Sequence, residues 1–132
     1  MPVRYYNESM TANYDISCVN SVIEVRVTGT PDRSSIAQMW KDIVIACKDH
    51  HCLSILGLSD MDHPIRLADA IDHQAIFLEA GVTIDHRIAW VQLNPAAVRM
   101  NMLIESVLLN RGLVNGRVFT NELEARDWLA DR

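Results

Sequence analysis

The chain has 132 residues, of which 49% are hydrophobic, and its formal net charge is -5 at pH 7. This length supports one hydrophobic core and is too short for two ordinary domains, so we expect a single domain over residues 1–132. The acidic balance, without a cluster of Lys and Arg, argues against binding to nucleic acid or to an anionic membrane surface.

The cysteines and the apolar runs bear on the compartment of the protein. Cys18, Cys47 and Cys52 are odd in number and show neither a Cys-x-x-Cys pair nor a zinc-type spacing. Reduced, mostly buried cysteines of a cytoplasmic protein are the simplest interpretation. No segment approaches the roughly 18 apolar residues of a membrane span, and residues 1–13 lack the apolar run of a signal peptide. We therefore expect a soluble, unexported protein.

The first apolar pattern predicts an antiparallel hairpin followed by a helix. Apolar and polar residues alternate over 14–18 and again over 23–27, with Asn20-Ser21 at the turn. Thr30 is the expected N-cap of a helix that runs to about Asp49. The apolar residues that recur at helical spacing in this segment are Ile36, Met39, Trp40, Ile43, Val44 and Cys47.

The middle of the chain predicts a buried strand and a second helix. Residues 53–58 form a short apolar run of strand length, best placed at the centre of the sheet. A polar turn then leads into a helix that Gly81 would terminate. Its expected buried stripe consists of Leu67, Ala70, Ile71, Ala75 and Leu78. Ile76 and Phe77 fall outside that stripe, which makes them candidates for a second contact surface.

The last third alternates strands and helices, which is typical of a parallel sheet built by crossovers. A strand over 87–93 precedes Asn94-Pro95, the N-cap and first turn of a third helix. The broad apolar face of this helix comprises Met100, Met102, Leu103, Ile104, Val107, Leu108 and Leu109, which indicates deep burial, a pocket or another subunit. After a short strand over 117–119, Thr120 or Asn121 caps a closing helix. Its expected buried residues are Leu123, Ala125, Trp128 and Leu129.

The element order defines the expected fold class. It is β-β-α-β-α-β-α-β-α, an α/β fold with a mostly parallel five-stranded sheet and four helices, in which only the first strand is antiparallel. One core is expected to contain Ile23, Val25, Val27, Ile55 and Val91. Trp128 should also be largely buried.

Three segments resemble the STAS-like family of sporulation anti-anti-sigma-factor homologues. They are Arg87-Ile88-Ala89-Trp90-Val91, Gly116-Arg117-Val118-Phe119-Thr120 and Glu124-Ala125-Arg126-Asp127-Trp128-Leu129. The resemblance extends to the element order of nearly the whole chain, with residue-level similarity in the last third. It implies a bacterial STAS-like domain, with a fold shared with the lipid-carrying CRAL-TRIO proteins. It also implies binding of other proteins or small ligands rather than catalysis.

The chain departs from the signalling members of that family at one position. Those members end the strand before the second helix in an Asp-Ser-Ser-Gly type motif, whose serine is phosphorylated by a kinase partner. Here the sequence is Leu58-Ser59-Asp60-Met61, with one hydroxyl and no glycine. Asp60 would supply a fixed charge at the acidic position, whereas Ser59 also suits an ordinary turn or cap.

Two sets of residues are candidates for binding. Ligands of open parallel sheets gather at the carboxyl ends of the strands, where helix N-termini expose N–H groups. The residues expected at this edge are Thr30, Ser59, Asp60, Asp62, His63 and Asn94. An apolar interface or pocket is expected from Ile76, Phe77, Met100 and Met102, most simply as a two-fold symmetric homodimer.

The histidines give no motif for catalysis or metal binding. Four of the five directly follow an aspartate, but adjacent side chains point apart on a helix or strand. Asp69 with His73, at i and i+4, is the natural helical pair. No zinc spacing, Gly-rich phosphate loop or nucleophile elbow is present, so we expect neither a metal nor a cofactor.

Three functions follow from these observations. The first is a non-enzymatic interaction or regulatory module of STAS-like type that binds a protein partner or a second copy of itself. The second is a carrier of a small apolar ligand or lipid, indicated by the methionine-rich third helix together with Ile76 and Phe77. The third is a small hydrolase-type enzyme that uses Asp60, Asp62 and His63 as acid and base groups.

Overall fold

The computed structural model describes residues 5–8, 12–29, 32–61, 71–110, 112 and 114–131. Its strands are β1 (Tyr5–Glu8), β2 (Ala12–Val19), β3 (Val22–Gly29), β4 (Ser54–Met61), β5 (Arg87–Gln92) and β6 (Asn115–Phe119). Its helices are α1 (Arg33–Asp49), α2 (His73–Ala80), α3 (Val98–Asn110) and α4 (Glu122–Ala130), with a 3-10 turn at Pro95–Ala97 before α3. The strands lie side by side in sequence order.

The expected fold class is confirmed. Strands β2 to β6 are the five expected strands; β3, β4, β5 and β6 pair in parallel, and β2 is antiparallel to β3. The additional edge strand β1 pairs antiparallel with β2, so β2 alone runs against the rest of the sheet. The Tyr-Tyr-Asn-Glu sequence of β1 has no apolar alternation, which is why the sequence did not reveal it.

The hairpin of β2 and β3 follows from its local sequence. Asn20 and Ser21 both have positive φ, at 50° and 64°. Two successive left-handed residues are what a type I′ turn requires, and Asn adopts this conformation at low cost. The register pairs Ile16 with Val25 and Cys18 with Ile23, which places the apolar residues of both strands on one face.

The sheet has a hydrophobic core on each face. The larger core lies under α1, α2 and α3 and includes Ile23, Val25, Val27, Ile55, Ile76 and Ile88. The smaller core lies under α4 and consists of Leu56, Leu58, Ala89, Val91, Phe119, Ala125 and Leu129. Successive residues of a strand face opposite sides, so Val91 points away from Ile88. The expectation that Val91 shares the core of Ile23 and Ile55 was therefore wrong.

The residue at which α1 begins and the side of α2 that is buried differ from expectation. The N-cap of α1 is Asp32, whose Oδ1 accepts the Ser35 N–H at 2.7 Å, whereas Thr30 lies outside the described residues. In α2, Ile76 and Phe77 are buried, while Leu78 is 57% exposed. Ile71 is also exposed, and Leu67 and Ala70 lie outside the described residues. Packing of α2 on α1 decided which side of this short helix faces the core.

The last two helices begin as the sequence indicated. Asn94 Oδ1 accepts the Ala96 N–H at 3.0 Å, and Asn121 Oδ1 accepts the Glu124 N–H at 3.0 Å. In α4, however, Leu123 is 68% exposed, and Trp128 is only half-buried rather than largely buried. The Arg87 guanidinium lies over the Trp128 ring, 3.7 Å from its centroid.

The three cysteines are unpaired and mostly buried. Cys47 and Cys52 are buried, Cys18 is half-buried, and all three are free thiols, as expected. Burial and the nearby Cys52 and Cys18 raise the pKa of Cys47 to about 12.

Among the described helices, none has the length and apolar character that crossing a membrane demands.

Candidate functional site

A pocket opens between the sheet and the helices on the side of the larger core. Its cavity has a volume of about 70 Å³ and is open to solvent at the mouth. Helices α1, α2 and α3 form one wall, and strands β4, β5 and β6 form the other. The apolar side chains at its surface include Met39, Trp40, Phe77, Ile88, Trp90 and Leu108.

Three aromatic rings form a continuous part of the wall. The ring centroids of Trp40 and Phe77 are 4.5 Å apart, and those of Trp40 and Trp90 are 5.5 Å apart. Trp90 lies over Gly57, where a Cβ would approach Trp90 Cε3 to 2.1 Å. The absence of a side chain at residue 57 therefore lets the indole ring lie against the sheet. Trp40 and Phe77 are buried, whereas Trp90 is half-buried and is the ring of this wall that a ligand can cover.

Polar groups interrupt this apolar lining at a few positions. His73 and Asn101 are buried, and Glu105 is half-buried; all three line the pocket, as does Arg117. Burial raises the pKa of Glu105, although a hydrogen bond with the Val118 backbone and the nearby Arg117 guanidinium act in the opposite direction. Asn101 and Glu105 are four residues apart on α3, so they share one face of this helix.

A buried hydrogen-bond network joins the pocket to the carboxyl ends of β4 and β5. Gln92 Nε2 donates to Ser59 Oγ at 3.3 Å and to Asn101 Oδ1 at 2.6 Å. Gln92 Oε1 accepts the Asn94 backbone N–H at 3.0 Å, and Asn94 Nδ2 donates to the Met61 carbonyl oxygen at 2.6 Å. These bonds satisfy the buried amide of Gln92 and fix its orientation.

The residues expected at the strand ends have different outcomes. Ser59 is fully buried inside β4, where it accepts a hydrogen bond, so it is not the surface turn or cap residue that its sequence position suggested. Asn94 joins the same network through Gln92. Asp60 is exposed, on the opposite face of the strand from Ser59. Thr30, Asp62 and His63 lie outside the described residues.

The four residues expected to form an apolar interface or pocket do not share one surface. Phe77 lines the pocket, whereas Ile76 is buried in the larger core. Met100 is half-buried against that core, and Met102 is 49% exposed on the outer side of α3. Ile76 is therefore not accessible for an interface. Met102 is accessible, but it does not line the pocket.

Several residues of the pocket were missed by reasoning from sequence. Trp40 and Trp90 were assigned to a helix core and a strand without being connected, because no local pattern brings them together. Gln92, Asn101 and Glu105 left a detectable signal, since each is a polar residue within an otherwise apolar strand or helix face. A polar side chain at a buried position needs a partner, and the network supplies one for Gln92.

The histidines are dispersed in the described part of the chain. Within it, no group of three or more His, Cys, Asp or Glu side chains is close enough to hold a metal ion. His73 is buried, with its ring centroid 6.1 Å from that of Phe77, and its expected helical partner Asp69 lies outside the described residues. His86 is buried, and its Nδ1 accepts the Thr83 backbone N–H at 3.0 Å.

Comparison of the sequence with protein-family models gave no match, and comparison with curated proteins gave none. The resemblance to the STAS-like family therefore stays a prediction.

Proposed function

We propose that the chain is a non-enzymatic binding module that holds a small apolar ligand in the pocket walled by Trp40, Phe77 and Trp90. This is the carrier function that the sequence left open. The observation that supports it is a cavity of about 70 Å³ beside the aromatic wall, in which Trp90 stays half-buried next to the buried rings of Trp40 and Phe77.

The composition of the pocket surface agrees with this function. Sites for small molecules are mostly apolar and carry a few well-placed polar groups, which fix the orientation of the ligand. Here the polar groups are His73, Asn101 and Glu105, among aromatic and aliphatic side chains. Trp40 and Phe77 are 4% and 5% exposed, whereas Trp90 is half-buried, so a ligand would gain mainly by covering the rest of the Trp90 ring.

Native mass spectrometry of the protein purified from the organism that encodes it tests this proposal. We expect a co-purified small molecule that dissociates on unfolding. The variant Ile104→Trp places a larger side chain at the pocket wall and should lose this molecule. Leu123→Trp adds the same side chain at an exposed position of α4 and should keep it. A wild-type protein that carries no ligand and binds no apolar probe would contradict the proposal.

A second candidate function is binding of a protein partner or of a second copy of the chain, as the STAS-like resemblance implies. One specific observation favours it: the neighbouring helices α2 and α3 leave Leu78, Met102 and Leu103 exposed. Exposed apolar groups on adjacent elements can mark an interaction surface. Analytical ultracentrifugation of the wild type, with and without a candidate partner, tests this function separately from the pocket.

A further inference from the structure

The orientation of the Asn101 amide is determined by a backbone group. The Asn94 N–H can only donate, so the Gln92 atom that it contacts at 3.0 Å must be the amide oxygen Oε1. This assignment settles which end of the Gln92 amide is nitrogen, a choice that side-chain contacts alone leave open. Gln92 Nε2 therefore faces Ser59 and Asn101 as a donor.

The orientation of the Gln92 amide fixes that of the Asn101 amide. Gln92 Nε2 uses its hydrogens on Ser59 Oγ and on Asn101 Oδ1, at 3.3 Å and 2.6 Å. Asn101 must accept with its oxygen, so its other terminal atom is the nitrogen Nδ2. Asn101 consequently presents two N–H groups, rather than a lone pair, on the side that faces away from Gln92.

This nitrogen belongs to a side chain that lines the pocket. Asn101 is 7% exposed and lines the pocket, and its Nδ2 has no hydrogen-bond partner among the described residues. Nδ2 is also not one of the fully enclosed unpaired polar atoms of the described part of the chain. A donor that is nearly buried and unpaired favours an occupant that carries an acceptor.

We propose that the pocket recognises an uncharged aromatic compound whose carbonyl oxygen accepts a hydrogen bond from Asn101 Nδ2. This inference rests on the proposed function, because it names the ligand class for the same pocket. The half-buried ring of Trp90, which lies next to the buried rings of Trp40 and Phe77, favours a planar aromatic body. The carbonyl supplies the acceptor that hydrocarbons lack.

Charge considerations favour an uncharged acceptor over a carboxylate. One neutral amide donor offsets little of the cost of dehydrating a carboxylate in an apolar pocket. Glu105 lines the same pocket one helical turn along α3 from Asn101, and it adds a like charge when ionised. The guanidinium of Arg117 interacts with the Glu105 carboxylate. Because its positive charge is offset in this way, it does not favour a carboxylate ligand.

Three probes of nearly equal shape test this specificity. In 2-acetylnaphthalene the carbonyl oxygen is present, in 2-isopropenylnaphthalene a methylene group replaces it, and 2-naphthoate carries a charged acceptor. Nuclear magnetic resonance titrations of the wild type follow the Asn101 side-chain amide and the affinity. We expect the ketone to move the Asn101 Nδ2 signals downfield, the alkene to bind without this shift, and the naphthoate to bind more weakly than the ketone.

The variant Asn101→Asp provides the matched change in the protein. It keeps an oxygen for Gln92 Nε2 and replaces the donor Nδ2 by a second oxygen, with a negative charge when ionised, and the uncharged alkene controls for the effect of this charge on the pocket. We expect the affinity for the ketone to fall by about tenfold or more, because a carbonyl then meets an acceptor. The affinity for the alkene should change little. The shift of the Asn101 signals in the wild type gives the same test if this variant does not fold.

The outcomes separate this inference from the proposed function. Three results would overturn the carbonyl specificity while leaving the pocket a binding site. The ketone could bind without shifting the Asn101 signals, or it could bind the wild type more weakly than naphthoate does. The third is that Asn101→Asp lowers the affinity for the ketone no more than the affinity for the alkene. If none of the three probes binds the wild type, the proposed function fails as well.

Discussion

Trp90 occupies the space in which a side chain of Gly57 would lie. The two residues are paired in register across the parallel strands β4 and β5. A Cβ on Gly57 would approach Cε3 of the indole to 2.1 Å, which is far below any van der Waals contact. The glycine thus allows Trp90 to lie on the sheet and to meet Trp40 at a centroid distance of 5.5 Å.

We predict that Gly57→Ala disrupts the pocket and destabilises the fold. The added methyl group must displace the Trp90 ring, and such overpacking typically costs about 1–3 kcal/mol. Urea denaturation measures the loss, and the indole N–H signal of Trp90 reports the displacement. Gly116→Ala is the matched control, since a Cβ there would be 3.4 Å from its nearest neighbour, the Ile88 oxygen. Equal effects of the two substitutions would contradict this account of Gly57.

We predict that His86 makes the protein less stable in mild acid. Burial lowers the pKa of this histidine from its ordinary value of 6.5. The unfolded chain therefore binds the proton more readily, so the free energy of unfolding decreases as the pH falls through about 6.5 towards the native pKa. Protonation of Nδ1 would also break its hydrogen bond from the Thr83 N–H.

Denaturation midpoints across this pH range measure the effect of His86. The variant His86→Asn can still accept a hydrogen bond but cannot titrate, so it should show a weaker pH dependence than the wild type. His51→Asn is the control, because His51 is exposed and has a positive φ of 51°, which Asn tolerates. An unchanged slope in His86→Asn would show that other groups cause any acid destabilisation.

We predict the opposite pH effect for Glu105. Burial raises the pKa of its carboxyl group above the ordinary value of 4.5. The native state therefore holds this proton more tightly, and its stabilising effect is complete below 4.5 and is lost as the pH rises through the native pKa. Glu105→Gln keeps an acceptor for the Val118 N–H and should remove this decline, whereas the exposed Glu124→Gln should not. Parallel pH profiles of wild type and Glu105→Gln would contradict the prediction.

We predict that any self-association depends on the outer sides of α2 and α3. Met102→Glu places a charge among their exposed apolar groups and should convert a dimer to a monomer without changing the far-ultraviolet circular dichroism. Leu123→Glu alters an exposed residue of α4 and should leave the dimer intact. Sedimentation velocity distinguishes the two states. A wild type that sediments as a monomer at all concentrations would refute self-association.

The sequence predicted those features of the fold that depend on neighbouring residues. The Asn20-Ser21 turn and the caps at Asn94 and Asn121 follow from the conformational and hydrogen-bonding preferences of single side chains. The order of strands and helices followed from apolar periodicity, which is a local property.

Features that depend on tertiary packing were not predictable in the same way. Helix α2 has only eight residues and apolar side chains on more than one side, so its sequence allowed either Leu78 or the pair Ile76 and Phe77 to face the core. Contact of Phe77 with Trp40 selected the second phase. Likewise, the Trp40–Trp90 contact joins residues that are far apart in sequence, and no periodicity encodes it.

The candidate site was predicted only in part, because the sequence locates strand ends but not the contacts between distant residues. Ser59 and Asn94 were expected at the carboxyl ends of neighbouring strands, and they do meet there through Gln92. Asn101 is a detectable polar residue in the apolar face of α3, but the sequence does not show its partner, because only the fold brings Gln92 to it. Buried polar residues in apolar runs are therefore useful signals even without a motif.

The indole N–H signals provide the most direct test of ligand binding in the pocket. Of the three tryptophans, Trp40 and Trp90 line the pocket, whereas Trp128 packs on Phe119 at the other face of the sheet. Titration of the wild type with 2-acetylnaphthalene should shift the Trp40 and Trp90 signals together in a saturable manner and leave that of Trp128 unchanged. No shift at saturation, or equal shifts of all three signals, would contradict a binding site between Trp40 and Trp90.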